Sequence, residues 1–354
     1  MIFHRFYRKI PRLLINNVPS YRTLISNSTV NDLVKPITVR TCVNILPRLA
    51  FKHPHIFQTN NLPTDGVDIS IDCVDTLNGY PNPTSKTIVA IHGTPGNYSH
   101  FDQLINNYRL SNVRVIVPNL PNFTHTRLKR FWHTTEEKAC FIQDLMKHLG
   151  IKKIDCLVSH SMGVHPLTML CENPGDLDIK SVAILAPQPM WDLRPDSANI
   201  LKKIFFSRSN LWYELLSLTK LDKGKVTKVR FNDFNEFLWL MLTVLYENTA
   251  SVDIYRRIDY LRRRSTIPVV VQFGEKEPIA SRKSVMKLFN EFGIDSDKLI
   301  QFNPDELASE LFDDLLKQDT RIKGYYFLKG GHFSYAKNSN YTCRMIDNLL
   351  SYYD

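Results

Sequence analysis

The sequence predicts an α/β fold: a mostly parallel, doubly wound sheet with an inserted helical cap. Three observations predict it. From Val67 onward, short β-branched runs alternate with helical patterns, as parallel strands joined by helices require. Between residues 190 and 265 the alternation gives way to helical pattern rich in large apolar groups. Strand character then returns twice before the C-terminus.

Taken in order, "VDISIDCV" (67–74) alternates with period two, whereas "KTIVAIHG" (86–93) and "VRVIVPNL" (113–120) are the short continuous runs of buried parallel strands. "HTTEEKACFIQDLMKHLG" (133–150) reads as a helix. Thr134 and Glu137 form a capping-box pattern, Ile142, Leu145, Met146 and Leu149 make one apolar face, and Gly150 stops it. "IDCLVSHS" is the next strand, "VHPLTMLCE" the next helix and "SVAILAPQP" a further strand. The interval 190–265 carries Trp191, Phe205, Phe206, Trp212, Tyr213, Phe237, Trp239 and Met241, followed by the basic tract Arg256, Arg257, Arg262, Arg263 and Arg264. Strands resume at "IPVVVQFGEKEP" (267–278) and "KGYYFLKGGHF" (323–333). The expected organisation is a basic arm over 1–35, a core over 36–189 and 266–354, and a helical cap over 190–265.

A chain of 354 residues with 43% hydrophobic content can bury a large core. The cysteines Cys42, Cys73, Cys140, Cys156, Cys171 and Cys343 are scattered, with no CxxC pair and no metal-ligand spacing. They read as buried free thiols, which suits a reducing compartment. The net charge of +10 is unaccompanied by a zinc finger, an RNP-type sequence or a glycine-rich phosphate loop, so nucleic acid is not an expected partner. Part of the charge lies in Arg5, Arg8, Lys9, Arg12 and Arg22, ahead of the first acidic residue, Asp32. An Arg-rich, acid-free start has the composition of a mitochondrial import leader; the alternative is a flexible basic arm on a cytoplasmic protein. The longest apolar run, "FLWLMLTVLY" (237–246), falls short of the ~20 residues of a spanning helix. The expectation is a protein that is soluble or in peripheral contact with a membrane.

The chemistry centres on "SHSMG", Ser159 to Gly163. A nucleophilic serine on a strained strand-to-helix turn needs small neighbours, because larger side chains would clash across the turn. Ser159 and Gly163 supply them around Ser161. A strand leading into "HGTPG" (92–96), a strand ending in "SHSMG", one ending in "GEKEP" (274–278) and a late "GGH" (330–332) together resemble the α/β-hydrolase superfamily. The order Ser161, then Glu275 or Glu277, then His332 matches that family's Ser…Asp/Glu…His order. The resemblance covers roughly 67–353. The stretch 133–151 also resembles an invertebrate branch of the superfamily that brings no known substrate.

The resemblance implies roles. Ser161 would be the nucleophile and His332 its base, the one histidine of eleven that follows both the serine turn and the acid. Backbone N–H groups of Thr94 and Met162 would hold the oxyanion, with Gly93 and Gly96 giving the first loop its tight path. Of the two glutamates, Glu277 has the longer reach from the strand end and matches the aspartate of the family's Gly-x-x-Asp turns, and Pro278 restricts its backbone. Glu275 would instead form a surface pair with Lys276 or Arg282. Three departures stand out. Asn119 and Asn122 replace the usual Asp and Gly, where asparagine tolerates left-handed turns. Pro166 falls early in a helix, and the acid is a glutamate. The implied activity is hydrolysis of carboxylic esters or thioesters through a Ser-His-Glu triad and an acyl-enzyme. The substrate would be a lipophilic small molecule, with no metal and no cofactor. Lipid acyl transfer is the rival, weakened because no H-x4-D pattern occurs in the chain. A catalytically silent hydrolase-like binding protein is the rival from another class.

Overall fold

The structure, a computed structural model, describes residues 30–52, 54, 58, 63–77, 86–93, 96–121, 135–187, 251–277, 281–306, 309–317 and 320–353. Most of the expected basic arm and of the cap lies outside the described residues, as do Thr94, Asn122, Thr134 and Pro278.

The strands are β1 (Val34–Thr41), β2 (Val67–Asp75), β3 (Lys86–Ile91), β4 (Val113–Pro118), β5 (Lys153–Ile154), β6 (Cys156–His160), β7 (Asp178–Ile179), β8 (Val182–Leu185), β9 (Val269–Gly274), β10 (Leu299–Phe302) and β11 (Ile322–Phe327). Among the described residues nine of them form one sheet in the order β1-β2-β4-β3-β6-β8-β9-β11-β10, while β5 and β7 pair separately. β1 and β2 run antiparallel at one edge, and every pairing from β4 to β10 is parallel. β1 was not expected from the sequence. It carries Pro36, which cannot donate to a ladder and is tolerated there because β1 is an edge strand.

Helices cover both faces. They are α1 (Ile45–Lys52), α2 (Asp102–Tyr108), α3 (Thr135–His148), α4 (Val164–Glu172), α5 (Ser251–Arg263), α6 (Arg282–Glu291), α7 (Ser309–Leu316), α8 (Ser334–Lys337) and α9 (Ser339–Leu350). Alternation within the strands divides the core in two. Val89, Ile91 and Leu157 face the apolar residues of α3, α4, α5 and α6, while Ile88, Ala90, Cys156 and Val158 face those of α2, α7 and α9. α5 falls inside the interval expected to form the cap, yet Ile254, Ile258 and Leu261 bury one stripe of it in the sheet's core. The basic tract is largely structural: Arg256 pairs with Glu172 of α4, Arg263 with Asp259, and Arg257 is buried. Among the described residues no helix is long and apolar enough to cross a membrane, and no cluster could hold a metal ion.

The sheet order positions the site. From β3 the chain moves outward to β4, then returns to the other side of β3 as β6. This reversal lies between β3 and β6, and it is at the carboxyl ends of strands at such a switch point that open α/β sheets bind ligands.

Candidate active site

β6 is buried along its whole length and delivers Ser161 to that switch point. His160 is extended, at φ −122° and ψ 137°, and the next residue, Ser161, turns to φ +54°. A non-glycine residue in that region costs on the order of 1–3 kcal/mol and persists only where its surroundings fix it. Here the fixing is steric. A Cβ on Gly93 would lie 2.6 Å from Ser161 Cβ, and one on Gly163 would lie 2.5 Å from the Ile91 carbonyl oxygen. The two glycines therefore let the turn press against the end of β3. Ser159 is buried opposite Ile91 and Ile184. Pro166 is the third residue of α4, so its missing N–H is one that the helix would leave unbonded anyway.

The acid and the histidine come from the next strands outward. β9 ends at Gly274, and the turn after it is tied to the turn after β11. Glu275 N–H donates to Phe327 O at 2.9 Å and Lys276 N–H to Gly330 O at 2.6 Å. Glu277 Oε2 lies 2.8 Å from His332 Nδ1, with the two side chains only 3% and 11% exposed. A carboxylate can only accept, so Nδ1 carries the proton of this bond, and in the neutral ring Nε2 then holds the lone pair. That is the tautomer of a general base. Glu275 is exposed and, among the described residues, pairs with neither Lys276 nor Arg282; it accepts the N–H of Lys329 at 3.0 Å. Lys329 is left-handed at φ +62°, so Glu275 stabilises the turn that carries His332.

Three further imidazoles surround these groups. His92 Nδ1–H donates to Gly93 O at 2.7 Å while its Nε2 accepts the Leu120 N–H at 2.8 Å, which fixes a neutral ring. Burial pushes its pKa down to about 3. His100, pushed down to about 4 by burial and by His332, packs against Gly96, His160 and Phe333. His160, one residue before Ser161, lies with its ring 4.6 Å from that of His332. This contact joins the serine turn to the histidine loop. The position of His160 next to Ser161 was legible. The partner, 172 residues away, was not. Met162 is buried directly after Ser161, while the other expected oxyanion residue, Thr94, lies outside the described residues. Asn119 makes no use of the left-handed tolerance of asparagine: its side chain accepts the Tyr98 N–H at 2.8 Å and its backbone N–H donates to Asp72 O, tying the end of β4 to the loop after β3 and to β2.

The places of these groups define the class. A serine at the end of the middle strand, then a carboxylate and a histidine from later strands of one mostly parallel sheet, make this an α/β hydrolase. The family can be given as well. Residues 53–351 match the family described as "Alpha/beta hydrolase of unknown function (DUF1057)", and the chain belongs to it. Among solved structures, a malate-bound thermophilic esterase from Thermogutta terrifontis is similar at a TM-score of 0.50 and 14% identity, covering 89% of this chain and 98% of that one. A carboxylesterase from the thaumarchaeon Nitrososphaera gargenis gives 0.49 and 16%, over 80% and 95%. An esterase from Exiguobacterium antarcticum gives 0.47 and 12%, over 81% and 97%. The first of these likenesses speaks to the fold alone. No curated protein matches the chain in sequence.

Proposed function

We propose that this α/β hydrolase is a serine hydrolase of carboxylic esters or thioesters. The observation that carries the reading is the His332–Glu277 pair, in the base tautomer, set beside the turn that holds Ser161 left-handed. The reaction requires Ser161 Oγ within hydrogen-bond reach of His332 Nε2. Oγ then attacks the acyl carbon as its proton passes to Nε2. Glu277 holds Nδ1–H and offsets the charge of the imidazolium that forms. The carbonyl oxygen becomes an oxyanion held by the Met162 and Thr94 N–H groups. The C–O or C–S bond breaks, His332 gives its proton to the leaving group, and an acyl-enzyme remains. Water, deprotonated by the same nitrogen, repeats the sequence and releases the acid. The large apolar side chains between Trp191 and Met241 support a lipophilic acyl group.

A fluorophosphonate probe tests the reading. The labelled peptide should contain Ser161, and Ser161→Ala should abolish labelling and turnover together. Undiminished ester hydrolysis by that variant would end the proposal. A series of nitrophenyl esters should give its best kcat/KM at medium or long chains, since each buried methylene adds up to ~0.8 kcal/mol of binding; a best value at acetyl would remove the lipophilic part alone.

A further inference from the structure

The loop that carries His332 begins with Gly330 and Gly331, two residues with wide backbone freedom. A general base on such a loop needs ties on both sides if it is to hold one place. The upstream tie is the Lys276 N–H to Gly330 O bond. The downstream tie comes from another element altogether: His160 Nε2 lies 3.3 Å from the carbonyl oxygen of His332 itself. A carbonyl only accepts, so His160 must carry its proton on Nε2. The ring is buried, with Nδ1 unbonded among the described residues. It is packed at 4.6 Å from His332, 4.8 Å from Tyr335, 4.9 Å from Phe333 and 5.6 Å from His100.

Resting on the serine-hydrolase reading above, we propose that His160 is a positioning residue for the reaction: a neutral imidazole that ties the His332 backbone to the strand carrying Ser161. Because residue 160 precedes the nucleophile directly, this tie references the base to the serine rather than to the sheet at large. The titratable groups that face His160 are His100 from the turn before α2, His92 from the end of β3, and His332 and Tyr335 from the segment after β11. Burial first, then His332, holds His160 well below the usual histidine range. Neutrality matters to the mechanism. His332 becomes cationic in each half-reaction, and a second cation at ring contact would oppose that step.

Two variants separate the bond from the ring. In His160→Gln the side-chain amide places an N–H close to the Nε2 position; in His160→Phe the ring remains and the donor is lost. His160→Phe should lower kcat at least tenfold with KM within about twofold, because a misplaced base weakens the chemical step and leaves binding alone. The rate of Ser161 labelling by fluorophosphonate should fall by the same factor, and His160→Gln should recover most of both. A merely structural role would lower the yield or the melting temperature of both variants and leave kcat per labelled site unchanged; that result overturns the inference. Should neither variant fold, ¹⁵N-histidine spectra of the wild-type protein decide. His160 should show the Nε2–H tautomer without change between pH 5 and 8, and an Nδ1–H tautomer or a titration in that range overturns the inference equally. The two proposals fail separately. An unlabelled wild-type protein defeats the hydrolase reading, whereas a labelled wild type with a normal His160→Phe variant defeats only the role of His160.

Discussion

The two halves of the site are held by different balances of packing and hydrogen bonding. The serine half is held by close approach: β6, the left-handed Ser161 and the glycines at 93 and 163 fit because nothing larger than hydrogen can stand between backbone and backbone. The acid–base half has one such approach, since a Cβ on Gly274 would lie 2.5 Å from Gly330 O, and adds polar ties to it: Glu275 N–H to Phe327 O, Lys276 N–H to Gly330 O, Lys329 N–H to the Glu275 carboxylate, and Glu277 to His332. Packed contacts set a position sharply and fail abruptly when a methyl group is added. Hydrogen-bonded turns yield by degrees, and each bond removed costs about 1 kcal/mol. The difference suits the chemistry proposed. The nucleophile must stay still while the histidine shifts slightly as it gains and loses a proton.

The largest expected effect divides the two glutamates of the second half. Loss of the orienting acid costs about 10⁴ in kcat in the trypsin-type triad, so Glu277→Gln should cripple turnover. Glu275→Gln removes only a turn contact, because an amide oxygen can still accept the Lys329 N–H, and should cost less than about tenfold. Steady-state kinetics on one ester decide it. The reverse ranking would transfer the acid role to Glu275, and two mild effects would leave His332 with no acid partner.

Acid should act first on the serine half. His92 at the end of β3 and His165 in the first turn of α4 are both pushed down to about 3 by burial, and His160 is depressed as well. Folded, these rings stay neutral; unfolded, they take up a proton near pH 6.5. The folded state therefore binds fewer protons between about pH 3 and 6.5. The contribution is fully present above 6.5 and is lost as pH falls below it, by about 2 kcal/mol per ring at pH 5. Urea unfolding at pH 8 and pH 5 should show that loss, and His165→Gln should reduce it by roughly one ring's share. Equal pH slopes for the variant and the wild type would show that His165 ionises in the folded protein.

Much of this was legible in the sequence, for reasons that differ by element. "VHPLTMLCE" coincides with α4, and the strands read at "KTIVAI", "SVAIL" and "VVVQF" are central ones, buried on both faces and so mostly apolar. β1 was not legible, because an edge strand with one wet face and a proline has no such pattern. β10 was missed too: four residues at the other edge, with Gln301 exposed, carry too little periodicity to register. Within the site, Ser161 and His332 were marked by their local motifs. The choice of Glu277 over Glu275 rested on reach, and the structure adds what reach could not show, namely that Glu275 is engaged by the Lys329 N–H. The part played by His160 depends on how two turns meet in space, and no local pattern encodes it.

A matched pair of glycines should sharpen the contrast between packed and tied halves. In Gly163→Ala the new methyl would meet the Ile91 carbonyl at 2.5 Å, on a strand buried in the middle of the sheet. Neither side can yield, and a loss of about 3 kcal/mol is expected, at the upper end for overpacking. In Gly331→Ala the nearest atom is Lys276 O at 3.6 Å, an ordinary contact, and Gly331 is not among the left-handed glycines. That variant should lose less than about 1 kcal/mol. Denaturant midpoints compare them directly, and similar losses would mean that the His332 loop is packed at Gly331 as tightly as the second half is at Gly274.

The smallest effect expected lies at Ser159. Its small size matters, because it stands where the turn allows no bulk, but its hydroxyl is buried with no partner among the described residues. An unpaired buried hydroxyl is costly, by roughly 1–3 kcal/mol on mutational scales. Ser159→Ala keeps a small side chain, removes the unpaired group and leaves β6 pairing with β3 and β8 through its backbone alone. The variant should therefore be more stable than the wild type by about 1 kcal/mol. Its kcat should be unchanged, since Ser159 faces the α3–α4 side of the sheet with Leu157 while Ser161 turns out at the strand's end. A loss of stability would mean that the hydroxyl has a partner after all, in the loop 94–95 or in a buried water. A loss of kcat without loss of stability would mean that this partner belongs to the oxyanion side of the site, and the serine half would then be held by a polar tie as well as by packing.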